Sequence, residues 1–264
     1  MGTDLSALLA LALDVATETA RMLVDERPTE LEFGTKSTLT DVVTVMDTRA
    51  ERLLVDRITA ARPLDGFLGE EGASVDGTSG VRWVIDPIDG TVNYLYRLPG
   101  WSVSVAAEVD GEVQVGVVVV PTYGETFAAV RGRGATCGGV PIRVSRQAVL
   151  AQSLLGTGFG YDAGRRTRQG AILAAVLPQV RDIRRVGAAS VDLCSVACGR
   201  LDAYYERGLA PWDLAAGGLI AREAGAKVEG LGGAPASGDL VIAAGPAVFD
   251  ALHAFLAPLR PDRD

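Results

Sequence analysis

The sequence predicts a mixed α/β protein of the α+β type, built from two intimately packed lobes. Three observations support this: two amphipathic helical patterns near the N-terminus, alternating apolar strands after Val81, and a regular exchange of strands and helices after about Arg146. No low-complexity linker or internal repeat separates these regions. We therefore expect an N-terminal α+β lobe of residues 1–145 and a C-terminal α/β lobe of residues 146–264 that share an interface.

The N-terminal lobe is expected to begin with two helices. Leucine and alanine recur at helical spacing from residue 5 to about residue 25, and residues 48–61 repeat this pattern until it meets Pro63. The segment between them, EFGTKSTLTDVVTVMD, contains Lys36 and Asp47 on either side of a β-branched stretch. The next segment, LDGFLGEEGA, predicts a short strand that ends at Glu70.

Strands dominate the region after Val81. The segments VRWVID, SVSVAAEVDG, VQVGVVVVPTYG and ETFAAVRGRG alternate apolar and polar residues, and Asp-Gly and Tyr-Gly turns separate the later ones. This pattern favours an antiparallel meander. Because Pro87 has no backbone N–H, we expect it to end the first strand and to leave the Ile88 carbonyl free to point elsewhere.

The C-terminal lobe is expected to alternate strands and helices. The predicted strands are SLLGTGF, DIRRVG, LDAYYER and DLVIAAG. The predicted helices are residues 166–177, GAASVDLCSVACG closed by Gly199, PWDLAAGGLIAREAG capped by Gly225, and a terminal helix.

Composition narrows the functional classes. The chain has 264 residues, 48% of them hydrophobic and 22% charged, which is typical of a globular enzyme. A net charge of −8 argues against a nucleic-acid-binding surface. No uncharged apolar run is long enough to span a membrane, and the N-terminus lacks a signal-peptide pattern, so we expect a cytoplasmic protein.

Histidine and cysteine chemistry is not favoured. The single histidine, His253, lies in an amphipathic terminal segment and is interpreted as a surface or helix-packing residue. Cys194 and Cys198 are one helical turn apart in an alanine-rich pattern typical of core packing. The loop GTGFG lacks the surroundings of a nucleotide-binding loop, so we interpret it as a glycine-rich turn.

Carboxylates form the strongest functional signal. The stretch WVIDPIDGTVNY places Asp86 and Asp89 three residues apart after an apolar run, and Glu70 and Asp213 also follow a predicted strand or open a helix. Two close carboxylates require a shared proton, a basic partner or a metal ion. Any one of these acids could be a helix cap or a solvated charge, but the set as a whole favours oxygen-ligated Mg²⁺ or Mn²⁺ and phosphoryl chemistry.

These residues resemble the inositol monophosphatase family, within the lithium-sensitive, magnesium-dependent phosphatases. GEE, WVIDPIDGTVNY and YYERGLAPWDLAAGGLIAREAGA resemble its signature blocks in order and spacing, and the match runs over nearly the whole chain. The resemblance implies a layered αβαβα sandwich, a homodimer, and two to three Mg²⁺ ions per active site.

The resemblance also implies roles for individual residues. The first metal site matches Glu70, Asp86 and the Ile88 carbonyl; the second matches Asp86, Asp89 and Asp213, and Glu70 with waters serves a weaker third. Thr91 and Asp47 match the pair that orients the attacking water, and Lys36 lies in a mobile loop. The positions that match substrate contacts, for the phosphate and for the hydroxyls, are Gly90, Thr91, Gly187, Ala188, Ala189, Glu206 and Asp213.

Hydrolysis of myo-inositol 1-phosphate is the activity that this resemblance implies, with Glu206 and the YYERG…PWD block as its support. Sister subfamilies cleave fructose 1,6-bisphosphate, histidinol phosphate or 3′-phosphoadenosine 5′-phosphate with the same metal site. The basic segment RDIRR could bind a second phosphate, although an exposed strand edge or dimer contact explains it more simply. Some bacterial relatives are associated with transcription machinery, so a partner-binding role is a further alternative.

Overall fold

The computed structural model describes residues 3–263. Residues 1, 2 and 264, the outermost residues of the two predicted lobes, lie outside the described part. Its α-helices are α1 Leu5–Asp25, α2 Val45–Ala61, α3 Thr91–Leu95, α4 Ala163–Val176, α5 Ala189–Ala197, α6 Pro211–Glu223 and α7 Pro246–Leu256. Its strands are β1 Phe33–Thr35, β2 Val42–Thr44, β3 Gly66–Gly69, β4 Ser74–Val75, β5 Val81–Asp89, β6 Ser102–Val109, β7 Glu112–Val120, β8 Glu125–Val130, β9 Ala135–Cys137, β10 Val140–Pro141, β11 Leu154–Thr157, β12 Asp182–Arg184, β13 Ala203–Glu206, β14 Lys227–Glu229 and β15 Val241–Ala244.

The strands form two main sheets and a small hairpin. The larger sheet has the order β10-β9-β8-β7-β6-β5-β3-β4, and the antiparallel pairing of β5 to β8 confirms the predicted meander. The smaller sheet has the order β12-β11-β13-β15-β14, with β11 parallel to both neighbours and β15 antiparallel to both of its own. Strands β1 and β2 pair only with each other among the described residues.

Three apolar clusters hold these sheets and helices in five layers. Helices α1 and α2 pack on one face of the larger sheet, against Trp83 and Ile85. Helices α5 and α6 fill the space between the sheets, where they meet Val84 from the larger sheet and Tyr204 from the smaller one. Helices α4 and α7 cover the outer face of the smaller sheet, against Tyr205. The layered αβαβα sandwich is therefore confirmed, whereas the division into lobes near residue 145 stays a prediction.

The proline in β5 does not end the strand, contrary to our expectation. Strand β5 continues to Asp89, and its register with β6 shifts between Asp86 opposite Ser104 and Asp89 opposite Ser102. Two residues of β5, Pro87 and Ile88, thus stand opposite one residue of β6. A bulge of this kind accommodates a residue without a donor and lets pairing resume beyond it.

The remaining differences are at element ends. Helix α2 begins at Val45, three residues before the predicted start, because Thr44 and Asp47 form a capping box there. Strand β14 and the short strands β9 and β10 were not predicted, since they are only two or three residues long. Among residues 3–263, none of the helices combines the length and the apolar character that a membrane span requires.

Neither histidine nor cysteine lies at a candidate reaction centre. His253 on α7 stacks on Phe249, and its Nε2 accepts a hydrogen bond from the Gly232 N–H at 2.9 Å. Cys194 is buried in the cluster between the sheets. Both residues therefore serve packing, as the sequence indicates.

Candidate active site

A cleft of about 550 Å³ opens where the end of β5 meets the first turns of α3, α5 and α6. Helix starts converge here because each follows a strand or loop that ends at the same edge of the sandwich. The predicted site residues that line this cleft are Lys36, Glu70, Asp86, Ile88, Asp89, Gly90, Thr91, Gly187, Ala188, Ala189, Glu206 and Asp213. Asp47 lies behind Thr91. Residues up to 177 positions apart in the sequence, from Lys36 to Asp213, are thus brought together.

Asp86 occupies the bulge of β5 and is only 1% exposed. Its Oδ1 accepts a hydrogen bond from the Ile88 N–H at 3.0 Å, whereas its buried Oδ2 has no donor among the described residues. Burial raises the pKa of Asp86 well above its usual value, and the charges of Glu70, Asp89 and Asp213 raise it further. A buried carboxylate oxygen without a donor needs a proton or a cation.

Asp89 is held by the first turn of α5. Its Oδ2 accepts the Ser190 N–H at 2.7 Å and also the Ser190 hydroxyl, and its Oδ1 accepts the Ala189 N–H at 3.2 Å. The Ser190 hydroxyl in turn lies 2.7 Å from the hydroxyl of Ser102 on β6. Burial raises the pKa of Asp89 to about 6, against these hydrogen bonds from Ser190. Asp89 is therefore fixed by a chain of buried donors.

Asp213 completes the acidic cluster from the first turn of α6. Its Oδ2 accepts the Ala210 N–H at 2.7 Å, and Pro211 opens the helix. Burial and the charge of Asp89 raise the pKa of Asp213 well above its usual value. One carboxylate oxygen from each of Asp86, Asp89 and Asp213 lies within 4.8 Å of the others. Oxygen-only ligands at this spacing, one of them without a donor, fit a hard divalent cation.

Thr91 and Asp47 form a buried pair beside this cluster. The Thr91 hydroxyl lies 3.0 Å from Asp47 Oδ1 and 3.1 Å from the Ile88 carbonyl, either of which can accept its single proton. The other oxygen of Asp47 accepts the Thr44 N–H at 2.8 Å, which fixes the carboxylate at the start of α2. Burial raises the pKa of Asp47 against its hydrogen bonds from Thr44 and Thr91.

Glu70 interacts with Asp86, whose pKa its charge raises, although it is not one of the three acids whose oxygens lie within 4.8 Å of one another. Lys36, at the β1–β2 hairpin, donates from Nζ to Glu70 Oε1 at 2.8 Å and to Glu71 Oε1 at 2.5 Å. Burial raises the pKa of Glu71 to about 7, against the hydrogen bond from Lys36. The ammonium group of Lys36 thus faces the cleft edge where the third cation was expected.

Glu206, the last residue of β13, lines another part of the cleft, near enough to Asp213 for its charge to raise the pKa of that residue. The Tyr204 hydroxyl donates to Glu206 Oε2 at 2.5 Å. Burial raises the pKa of Glu206 to about 7, against the hydrogen bond from Tyr204 and the positive charge of Arg185. Of the RDIRR segment, Arg185 lines the cleft, whereas Arg184 pairs with Asp182 on the exposed edge strand.

Sequence reasoning missed several lining and supporting residues. Arg165 and Tyr161 line the cleft without belonging to a recognisable motif, and Trp212 lines it from within the PWD block, where the sequence assigned it no role. Ser190 had a usable signal, since a serine in the first turn of a predicted helix can donate to a nearby carboxylate. The carboxylate in question, 101 residues away, could be identified only in the folded chain.

Comparison with known proteins gives a consistent result. The sequence model of the inositol monophosphatase family matches residues 4–261. A Mycobacterium leprae protein named inositol-1-monophosphatase is 49% identical over 232 residues, covering 84% of this chain and 80% of that protein. An Escherichia coli protein named Nus factor SuhB is 38% identical over 230 residues, covering 86% of each. The crystal structure of the extragenic suppressor protein suhB from Bartonella henselae superposes with a TM-score of 0.90 at 34% identity, covering 95% of this chain and 98% of that one.

Proposed function

Because this chain belongs to the inositol monophosphatase family, a phosphatase family, we propose that it is a Mg²⁺-dependent phosphomonoesterase that converts myo-inositol 1-phosphate into inositol and phosphate. The observation that carries the proposal is the buried aspartate cluster, in which Asp86 Oδ2 has no donor among the described residues. The oxygen-only ligands favour Mg²⁺, with Mn²⁺ as the other candidate.

The proposed cation ligands are the residues that the family resemblance of the sequence implies. Asp86, Glu70 and the Ile88 carbonyl would hold one ion. Asp86, Asp89 and Asp213 would hold the second, and Glu70 with waters would hold a weaker third. When bound, such ions neutralise the phosphate, lower the pKa of water and stabilise the leaving alkoxide. The backbone donors to Asp86, Asp89 and Asp213 orient these carboxylates before any ion arrives.

Thr91 and Asp47 orient the attacking water in the proposed reaction. When the Thr91 hydroxyl donates to Asp47 Oδ1, its oxygen lone pairs are left to accept a hydrogen bond from water. A proton leaving this water can pass to Thr91 Oγ1 as the threonine proton passes to Asp47 Oδ1. The burial that raises the pKa of Asp47 favours its acceptance of that proton.

We propose that the substrate lies between the aspartate cluster and Glu206. The amides of Gly90 and Thr91, at the start of α3, contact the phosphate, because first-turn amides lack partners within the helix. The remaining proposed contacts, which serve the ring hydroxyls, are Gly187, Ala188, Ala189, Glu206 and Asp213. Lys36 on the β1–β2 hairpin is the proposed mobile element that approaches the cations. We further propose a cytoplasmic homodimer that Li⁺ inhibits.

The test is phosphate release from four substrates: inositol 1-phosphate, fructose 1,6-bisphosphate, histidinol phosphate and 3′-phosphoadenosine 5′-phosphate. Each is assayed with Mg²⁺, with Mg²⁺ plus Li⁺, and with a chelator. The proposal expects inositol 1-phosphate to give the highest kcat/KM, and both the chelator and Li⁺ to suppress turnover. Activity that persists after chelation contradicts the cation role, and a different preferred substrate contradicts the substrate assignment.

A second candidate is hydrolysis of a doubly anionic substrate of the sister subfamilies. Arg185 favours it, since its guanidinium lines the cleft near Glu206 and could pair with a second anionic group. Arg185→Ala separates the two functions. It should lower kcat/KM for fructose 1,6-bisphosphate far more than for inositol 1-phosphate if a second phosphate binds there.

A third candidate is a role as a binding partner in transcription, because one relative is named a Nus factor. The net charge of −8 disfavours direct binding to RNA, so such a role would act through protein contacts. Asp86→Asn separates this role from catalysis. A cellular phenotype that survives the loss of turnover would make partner binding the main function.

A further inference from the structure

We propose that Gly158 and Tyr204 are positioning residues that fix the Glu206 carboxylate, and that they thereby set a preference of the cleft for polyol phosphates over other phosphomonoesters. The inference rests on the proposed function and deepens it. Gly158 belongs to the GTGFG segment, which the sequence analysis interprets only as a glycine-rich turn. Tyr204 lies two residues before Glu206 on β13.

Tyr204 contacts the Glu206 carboxylate through its hydroxyl group. Residues two apart on a strand point to the same face, so Tyr204 and Glu206 project together into the layer between the sheets. The Tyr204 ring is 0% exposed and packs in the apolar cluster with α5 and α6. Its hydroxyl reaches Glu206 Oε2 at 2.5 Å. A buried tyrosine hydroxyl needs an acceptor, and here the acceptor is the carboxylate that lines the cleft.

Because Gly158 has no side chain, the Glu206 carboxylate can occupy the space beside its backbone. A Cβ atom at this position would lie 1.9 Å from Glu206 Oε2 and 2.2 Å from Glu206 Cδ, so no other residue fits without moving the carboxylate. The φ angle of Gly158 is not in the left-handed region, so space is the reason for glycine here. The loop after β11 therefore packs its backbone directly against Glu206.

The two contacts act together on one side chain. A free glutamate on a strand end samples several rotamers, and ordering it on substrate binding costs affinity. Tyr204 through its hydrogen bond and Gly158 through close backbone packing both restrict the Glu206 carboxylate before substrate arrives. A fixed carboxylate accepts a hydrogen bond from a hydroxyl at a defined place, whereas a phosphomonoester without hydroxyls gains nothing from it.

Tyr204→Phe tests the inference, because it removes one oxygen and keeps the packed ring. Inositol 1-phosphate and 4-nitrophenyl phosphate, which has no hydroxyl group on its ring, are compared at saturating Mg²⁺. We expect KM for inositol 1-phosphate to rise about tenfold, the scale of a lost hydrogen bond to a charged group. Its kcat and both constants for 4-nitrophenyl phosphate should stay unchanged. Equal effects on both substrates, or no effect on either, would overturn the proposal.

Tyr205→Phe is the matched control for this variant. Tyr205 is the next residue of β13, is also buried, and faces the cluster with α4 and α7 on the other side of the sheet. Loss of its hydroxyl should leave the ratio of kcat/KM for the two substrates as in the wild type. A change in that ratio equal to the Tyr204→Phe change would show that any perturbation of β13 suffices, and would overturn the specific role of Tyr204.

Gly158→Ala tests the other contact, with Gly170→Ala as its control. Nothing lies within 4 Å of a Cβ at Gly170, on α4, so this control should keep wild-type selectivity. Gly158→Ala should lower kcat/KM for inositol 1-phosphate at least as much as Tyr204→Phe, with 4-nitrophenyl phosphate unaffected. In a Glu206→Ala background, neither substitution should lower selectivity further, since both act through Glu206. If Gly158→Ala does not fold, Tyr204→Phe in the two backgrounds decides.

Failure of the proposed function gives a different pattern. If wild-type protein hydrolyses 4-nitrophenyl phosphate but none of the polyol phosphates, the substrate assignment is wrong, and the positioning proposal is overturned with it. If wild-type protein prefers inositol 1-phosphate and Tyr204→Phe keeps that preference, only the positioning proposal fails.

Discussion

Two parts of the cleft, which we call the cation end and the Glu206 end, are built on different principles. At the cation end, where we propose that Mg²⁺ binds, Asp86, Asp89 and Asp213 accept hydrogen bonds from backbone N–H groups at a bulge or at a helix start. At the other end, Glu206 accepts from the side chain of Tyr204 and faces the side chain of Arg185. Each of these aspartates thus has at least one backbone donor, whereas the hydrogen bond described for Glu206 comes from a side chain.

Because of this difference, we expect one set of residues to determine the rate of the reaction and another set to determine the preference for a substrate. Backbone donors survive most substitutions around them, so the cation cluster tolerates sequence change as long as its own acids remain. Side-chain donors can be altered one at a time, so the Glu206 end can adopt new preferences without disturbing the cations. We therefore expect substitutions at the cation end to abolish turnover and substitutions at the other end to redirect it.

The largest effect is expected from Asp213→Asn. The amide oxygen can still accept the Ala210 N–H and cap α6, so the fold should persist. Loss of the charged ligand should lower kcat by about 10³-fold for every substrate, because several kcal/mol of charge stabilisation are lost. Steady-state kinetics at ordinary Mg²⁺, with circular dichroism to verify folding, measure this.

Asp4→Asn is the matched control. Asp4 caps α1 through the Ser6 N–H at 2.9 Å and lies outside the cleft. Its replacement should leave kcat at the wild-type value. Turnover near wild type in Asp213→Asn itself would remove Asp213 from the cation site.

Ser190→Ala should have a smaller effect, which is limited to the affinity for Mg²⁺. It removes the hydroxyl that binds Asp89 Oδ2 and leaves both backbone donors in place. Loss of such a supporting contact typically weakens metal affinity by about 10- to 100-fold. The Mg²⁺ concentration for half-maximal activity and the Mg²⁺ dissociation constant measured by calorimetry should both rise, while kcat at saturation stays near wild type.

Ser79→Ala supplies the comparison for Ser190→Ala. Its hydroxyl donates to Asp65 Oδ1 at 2.6 Å, outside the cleft, so the same chemical change there should leave Mg²⁺ affinity unaltered. An unchanged Mg²⁺ requirement in Ser190→Ala would mean that the backbone donors alone orient Asp89.

Glu206→Gln is expected to affect substrate choice and little else. The isosteric amide keeps the packing against Gly158 but loses the charge, so KM for inositol 1-phosphate should rise about tenfold. The kcat for 4-nitrophenyl phosphate and the Mg²⁺ requirement should match wild type. A loss of turnover with every substrate would place Glu206 at the reaction centre and break the contrast between the two ends.

The sequence predicted the cation end better than the other end, for a physical reason. Asp86, Asp89, Gly90 and Thr91 are neighbours in one stretch, and acids placed at strand ends can be recognised there without knowing the fold. The surroundings of Glu206 depend on Gly158 and Arg185, which belong to different loops and meet only when β11, β12 and β13 pair. The capping box of Thr44 and Asp47 starts α2 three residues before the point at which apolar periodicity alone places it.

The smallest effect expected is a change in the pH dependence of stability. In the folded protein without cations, burial raises the pKa of Asp89 to about 6 and that of Glu206 to about 7, above their ordinary values of 3.8 and 4.5. The folded state therefore binds more protons than the unfolded state between about pH 4 and pH 7. Stability in a chelator should thus be greatest on the acid side and fall as the pH rises through this window.

Mg²⁺ should restore the stability that is lost at higher pH through the aspartate cluster, but not the part that is lost through Glu206. Mg²⁺ competes with protons for Asp86, Asp89 and Asp213. It should therefore raise the thermal unfolding midpoint more at about pH 7.5 than at about pH 5, which lie above and below the Asp89 pKa of about 6. The part of the loss due to Glu206 should persist in Mg²⁺ and disappear in Glu206→Gln. Differential scanning fluorimetry of the two proteins at both pH values measures this. An equal Mg²⁺ effect at both pH values would show that protons and cations do not share the aspartate cluster, because only shared ligands make cation binding depend on pH.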